Sequence, residues 1–288
     1  MPTLPIVLAH GIARFDILTL ILRQKLGITE SVVEDRFEYF KGIKTFLESN
    51  GFTVFHPNQP FSGSVELRAQ HLAARVQEAL QETKAPKVHI IAHSMGGLDA
   101  RHMIVDNGMA DRVGTLATIG TPHRGSQVAD KLAEPGGALL LQMLDKVFDV
   151  DGVNDLTSSK CEAFNRRAED AEARNAVVYQ TYAAHEDLKD VFLPLVAGWL
   201  IIKDADGPND GLVSVRSQKW ATELVASDGT RKEIRQREFP FQGDHLNECG
   251  WWDPQETINP LFGGDLVNQS RAFEERLRNF YLEIAQNL

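Results

Sequence analysis

Short apolar runs alternate with amphipathic stripes along most of this chain. Leu4 to Ala9 is a continuous apolar run that stops at His10-Gly11, the pattern of a strand buried on both faces of a parallel sheet. Similar runs recur at Thr53 to Phe55, Val88 to Ala92, Leu116 to Ile119 and Val177 to Tyr182. Helical spacing lies between them. Phe37, Phe40, Ile43 and Leu47 step by three and four and end at Asn50-Gly51, a C-terminal stop signal. Val65, Ala69, Leu72, Val76 and Leu80 form the next stripe behind Ser64, a suitable N-cap, and Phe273, Leu277, Phe280 and Ile284 form the last. Strands alternating with helices predict right-handed crossovers, an α/β fold with a mostly parallel sheet, and a ligand site beyond the carboxyl ends of the strands.

The stretch from Ser126 to Arg174 breaks the alternation. It carries an apolar patch, Leu139 to Leu141 with Met143, Leu144, Val147 and Phe148, and then a charged segment. This predicts a single domain over residues 1–288, with 126–174 as a helical cap or lid inserted in it, against the plainer reading of a peripheral helical layer.

Composition narrows the possible partners. The 30 Lys and Arg are scattered and the net charge is -10, so no basic footprint for nucleic acid is present. The longest apolar run, Val191 to Ile202, contains Pro194 and Gly198 and is shorter than the roughly 20 residues of a membrane span; it is expected in the core or a pocket wall, and no transmembrane segment is expected. Met1-Pro-Thr-Leu-Pro lacks a signal peptide's basic start and apolar stretch, so the expected location is cytoplasmic, or outside the cell by a route that needs no N-terminal signal. Two cysteines, Cys161 and Cys249, do not make a disulfide framework; they either pair or stay reduced.

The most informative segment is Val88-His-Ile-Ile-Ala-His-Ser-Met-Gly-Gly97, a buried strand running into Ser94 and then a helical segment. A tight strand-turn-helix connection needs small residues around the serine and pushes its hydroxyl out at the top of the sheet. Ala92 stands where the G-x-S-x-G pattern has its first glycine, and one methyl group leaves the turn feasible. A serine hydroxyl needs an adjacent base to become a nucleophile. His89, within the strand, and His93, beside the turn, read as packed or hydrogen-bonded structural histidines. His245 lies in the polar turn Gly243-Asp-His-Leu-Asn after a strand-like segment from Ile234 to Phe241, and Asp210 lies in the turn Asn209-Asp-Gly upstream of it. The order serine, acid, histidine selects Asp210 to hold the imidazole tautomer. Its competitors are Asp204 and Asp206, which read as solvated turn residues, and Asp244, which adjoins the histidine it would have to face. For the oxyanion, Met95 and Ile12 are the expected backbone donors, with His10 bracing the loop.

Ile6-Val-Leu-Ala-His-Gly, Ala92-His-Ser-Met-Gly-Gly, Gly120-Thr-Pro-His-Arg-Gly-Ser, Asn209-Asp-Gly-Leu-Val-Ser and Asp244-His-Leu-Asn-Glu together resemble the bacterial true lipases typified by Pseudomonas, Burkholderia and Proteus. The resemblance spreads over most of the chain in family order. It implies the α/β-hydrolase fold, triacylglycerol lipase or carboxylesterase activity, a mobile helical lid, and Ser94, Asp210 and His245 as nucleophile, acid and base. It also implies a structural calcium ion near the histidine; the matching positions here are Asp190 and Asn247, and Asn247 replaces a carboxylate with a neutral ligand. The family's disulfide is not expected, because Arg216 occupies the position that would hold one cysteine.

The expected reaction is acyl transfer from an ester or lipid, at a lipid–water interface in the lipase case, with no cofactor required for the chemistry. Rival readings are an esterase for short soluble esters, a polyester depolymerase, an acyltransferase with the same residues, and a catalytically silent binding protein on the same fold.

Overall fold

The computed structural model describes residues 4–12, 39–56, 60, 63–137, 152–251 and 266–288. Strand β1 (Ile6–Ala9) is followed by helix α1 (Ile43–Ser49), β2 (Val54–Phe55), α2 (Val65–Thr83), β3 (Val88–His93), α3 (Met95–Asp106), β4 (Val113–Ile119), α4 (Gln127–Ala133) and α5 (Ser158–Arg174). Then come β5 (Val178–Ala183), α6 (Val196–Asp206), α7 (Val215–Gln218), β6 (Glu223–Val225), β7 (Arg231–Glu233), β8 (Arg235–Glu238) and α8 (Leu266–Gln286).

Six strands form one parallel sheet in the order β2-β1-β3-β4-β5-β8, and β6 and β7 make a small antiparallel hairpin beside it. Alternation along the strands sends side chains to two cores. Ile6, Leu8, Ile91 and Ile119 meet α1 and α8 on one face, while Val7, Ala9, Ile90 and Ala92 meet α2 and α3 on the other. The chain is therefore a three-layer sandwich with the site at the strands' carboxyl ends.

Several expectations shift by a few residues. Phe37 lies outside the described residues and α1 begins only at Ile43, with Phe40 buried ahead of it. Ser64 caps α2 as expected, accepting the Leu67 N–H at 3.3 Å. The strand-like segment Ile234 to Phe241 contributes only Arg235–Glu238, exposed along its whole length. Phe239 and Phe241 leave the ladder and pack on Phe280 and Phe273. A short, charged edge strand also resists pairing with another sheet.

The apolar run Val191 to Ile202 is only partly core: Val191, Leu195 and Ile202 are buried, but Leu193 and Leu200 are 62% and 47% exposed. Of the expected cap, Leu139 to Phe148 lies outside the described residues. Its C-terminal part, α5, follows α4 between β4 and β5, and it buries Cys161, Phe164, Ala168 and Ala173. Among the described residues no helix is long and apolar enough to cross a membrane.

Candidate functional site

Ser94 links β3 to α3 with φ 57° and ψ -136°, a backbone conformation that a side chain rarely adopts. Three hydrogen bonds hold it there. Its N–H donates to the Ile119 carbonyl at 2.9 Å, and its carbonyl accepts from Thr121 Oγ1 at 2.8 Å and from the Gly97 N–H at 3.1 Å, while Gly97 leaves room for Thr121. A Cβ on Gly96 would lie 2.5 Å from the Ala9 carbonyl oxygen, so only glycine lets α3 start this close to β1. Ala92 needs no such freedom: it pairs in register with Ala9 and Thr118, small neighbours that leave space for its methyl group.

His245 follows β8 and turns back over the sheet. Its Nε2 accepts from Ser94 Oγ at 2.8 Å, and its Nδ1 donates to Asp210 Oδ2, also at 2.8 Å. The two loops are stitched together as well, since the His245 N–H donates to the Asp210 carbonyl at 2.9 Å. Asp210 is fully buried. Its Oδ1 accepts the N–H groups of Leu212 and Val213, and its Oδ2 also accepts from Gln218 Nε2 at 3.0 Å, so the carboxylate cannot rotate away from the imidazole. The structure thus brings together Ser94, Asp210 and His245, residues that are far apart in the sequence.

Of the competing acids, Asp204 is exposed on α6 and the other two are engaged elsewhere. Asp244 is buried and accepts N–H groups from Phe192, Leu246 and Asn247; burial pushes its carboxyl up to about 6. Asp206 is no solvated turn residue. It ends α6, where its carboxylate accepts from Ser214 Oγ and pairs with Arg216.

Met95 begins α3 directly after the serine, and Ile12 lies three residues after β1; both are buried. Ile12, Val128, Leu132, Leu156 and Leu212 form an apolar wall around Ser94 and His245. His10 Nδ1 bonds to the Gly11 carbonyl at 2.8 Å, consistent with its expected bracing role.

Sequence reasoning passed over the layer beneath. Arg68 on α2 is completely buried, pairs with Asp99 at 2.7 Å and donates to the His10 carbonyl at 2.7 Å. His93 Nε2 bonds to Glu248 Oε2 at 2.9 Å, and that oxygen lies 3.8 Å from His245 Nδ1. Burial, followed by the charge of Asp210, holds the Glu248 carboxyl well above its ordinary range. Glu248 stands three residues after His245, but nothing in the spacing announces a buried acid. Arg68 falls within the apolar stripe of α2 and interrupts it, which was a usable signal.

The residues assigned to calcium by resemblance are otherwise occupied. Asn247 Oδ1 accepts the Asp244 N–H and its Nδ2 donates to the Trp251 carbonyl, while Asp190 pairs with Lys189 at 3.3 Å. Among the described residues, the cluster of imidazole, thiol and carboxyl groups tight enough for an ion is His93, His245 and Glu248, a nitrogen-rich set already closed by hydrogen bonds. As arranged, these groups do not present the oxygen cage that calcium requires. Cys161 and Cys249 are both buried and unpaired with each other.

Residues 5–189 match the family described as the alpha/beta hydrolase fold. Triacylglycerol lipase 2 of Saccharomyces cerevisiae is 30% identical over 100% of this chain and 91% of its own length. The triacylglycerol lipase of Vibrio cholerae is 29% identical over 95% of this chain and 87% of its own. In structure, the mature lipase BlEst2 of Bacillus licheniformis superposes with a TM-score of 0.60 at 20% identity, covering 85% of this chain and 86% of that one, a likeness of fold alone. The chain belongs to the α/β-hydrolase family, on the lipase branch that these relatives represent.

Proposed function

We propose that this carboxylic ester hydrolase cleaves acylglycerols, with Ser94 as nucleophile, His245 as general base and Asp210 as the acid that orients it. The observation that carries the proposal is the unbroken hydrogen-bond line from Ser94 Oγ through His245 to Asp210, with 2.8 Å at each step.

The chemistry follows from that line. As Ser94 Oγ attacks the ester carbonyl, its proton passes to His245 Nε2, and the buried Asp210 carboxylate stabilises the resulting imidazolium. The Met95 and Ile12 amides are assigned to the oxygen that becomes negative. His245 then gives its proton to the departing alcohol, and water repeats the sequence to free the acid. The apolar wall of Val128, Leu132, Leu156 and Leu212 suits an acyl chain, and the lipid substrates named for the relatives suit the same wall.

A fluorophosphonate should label the protein once, at Ser94, and Ser94→Ala should abolish both labelling and hydrolysis, lowering kcat by about 10⁴-fold or more. Labelling that persists in Ser94→Ala would place the nucleophile elsewhere. A series from tributyrin to emulsified triolein then tests the substrate: activity confined to short soluble esters would replace the lipase reading with an esterase.

A further inference from the structure

A second line of polar groups runs beneath the serine, and the proposed reaction makes no use of it. The Gly11 backbone lies against the Tyr39 hydroxyl. Tyr39 Oη donates to His93 Nδ1 at 2.7 Å, and His93 Nε2 donates to Glu248 Oε2 at 2.9 Å. All three side chains are buried. Each group hands its proton in one direction, which requires a neutral His93, and burial holds that imidazole well below its ordinary pKa.

Contact at the first link is close. A Cβ on Gly11 would sit 2.8 Å from Tyr39 Oη, 2.7 Å from Ser94 Cβ and 3.0 Å from Ser94 Oγ, so the Gly11 Cα lies directly against both. The far end of the line is the Glu248 oxygen 3.8 Å from His245 Nδ1. Asp210 reaches the same nitrogen at 2.8 Å, so orienting the imidazole falls to Asp210, and the line through Glu248 has another use.

We propose that Tyr39 is a positioning residue for the oxyanion loop: through its hydroxyl and His93 it ties Gly11 to Glu248, holding the Ile12 amide over Ser94 before substrate arrives. The inference rests on the hydrolase reading above. Its energetic basis is the asymmetry of buried polar groups. With the hydroxyl gone, His93 Nδ1 loses its partner away from water and Gly11 loses the group it rests against, and the loop relieves that cost by moving. The Tyr39 ring also packs against His10 and Phe40, with centroids 5.2 Å apart in each case, a contact that phenylalanine would keep. Tyr39→Phe therefore isolates the hydroxyl.

Two measurements on that variant test the proposal. Its kcat on p-nitrophenyl butyrate should fall about tenfold with KM within about twofold, because a displaced oxyanion donor is felt in the transition state and not in substrate binding. Amide exchange across residues 4–12, read by mass spectrometry on the free protein, should quicken by about tenfold, while exchange in α2 stays as in the parent and shows the fold intact. Wild-type kcat, or unchanged exchange at residues 4–12, overturns the proposal, as does a rise in KM without a fall in kcat. Exchange needs no substrate, so it reads the brace even if the parent protein hydrolyses no ester, a result that would count against the hydrolase reading instead.

Discussion

Helix α3 carries two completely buried carboxylate–guanidinium pairs, and they do different things. Asp99 pairs with Arg68 of α2, and two residues further on Arg101 pairs with Glu172 of α5 at 2.8 Å. Each pair paid a large desolvation cost to enter the protein, so neither is evidence of net stabilisation on its own account. They differ in where the spare donors go. Arg68 aims its remaining N–H groups at the carbonyls of His10 and Pro60, which places it under the loop that faces Ser94. Arg101 lies with its guanidinium carbon 3.7 Å from the centre of the Trp220 ring and 4.8 Å from that of Phe164, and it reaches His123 Nδ1 at 3.4 Å. One pair braces the site; the other cements α3 and α5 to the region around Trp220.

Breaking each pair from the cation side gives the largest effects. Arg68→Met and Arg101→Met should each cost about 3–5 kcal/mol in denaturant melts, because both leave a carboxylate buried without its partner. Only Arg68→Met should also slow the reaction, with kcat per labelled active site down about tenfold as the His10 carbonyl loses its donor. Burial pushes Asp99 up to about 6 even beside Arg68, so below that pH Asp99 protonates and the stability penalty of Arg68→Met should shrink. Equal loss of kcat in both variants would remove the distinction between the pairs.

Replacing both partners sharpens it. Arg68→Met with Asp99→Leu, and Arg101→Met with Glu172→Leu, should each recover stability to within about 1–2 kcal/mol of the parent, since matched apolar groups need no counter-charge. Activity per active site should stay low in the first double variant and stay at the parent's level in the second. Recovery of activity in the first would mean that Arg68 serves the fold and not the loop.

The legible parts of this molecule are those in which one local rule decides. Alternation along β1 and β3 follows from burial on both faces, and the elbow at Ser94 follows from the small residues around a strand-to-helix turn. Asp210 and His245 could be chosen because chain order limited the search. Pattern failed where a residue's neighbours come from elsewhere in the chain. Phe239 and Phe241 extend an apolar strand pattern, yet α8 captures them, and the ladder stops at Glu238. Leu193 and Leu200 belong to an apolar run, but α6 turns its other side to the core. Tyr39 and Glu248 carry no local signature of their roles, because each acts through a group more than fifty residues away, and Arg68 shows itself only as a charge within the apolar stripe of α2.

The contrast between the pairs also raises the question of what a buried acid does with no cation beside it, and Glu186 supplies the case. Its carboxyl is pushed up to about 7 by burial and then by the nearby charges of Asp244, Asp190 and Asp187. The side chain is only 6% exposed, and it accepts the Asp187 N–H at 2.7 Å. The ordinary value of 4.5 applies in the unfolded chain, so the folded protein holds the proton more tightly between 4.5 and about 7. Its contribution to stability is therefore fully present below 4.5 and is lost as the pH rises through about 7. Glu186→Gln removes that titration while keeping an oxygen for the Asp187 N–H. The variant should match the parent near pH 4.5 and become the more stable of the two by pH 8, by up to about 3 kcal/mol, in urea melts across that range. A stability difference that does not change with pH would mean that a cation, absent among the described residues around Glu186, already neutralises it.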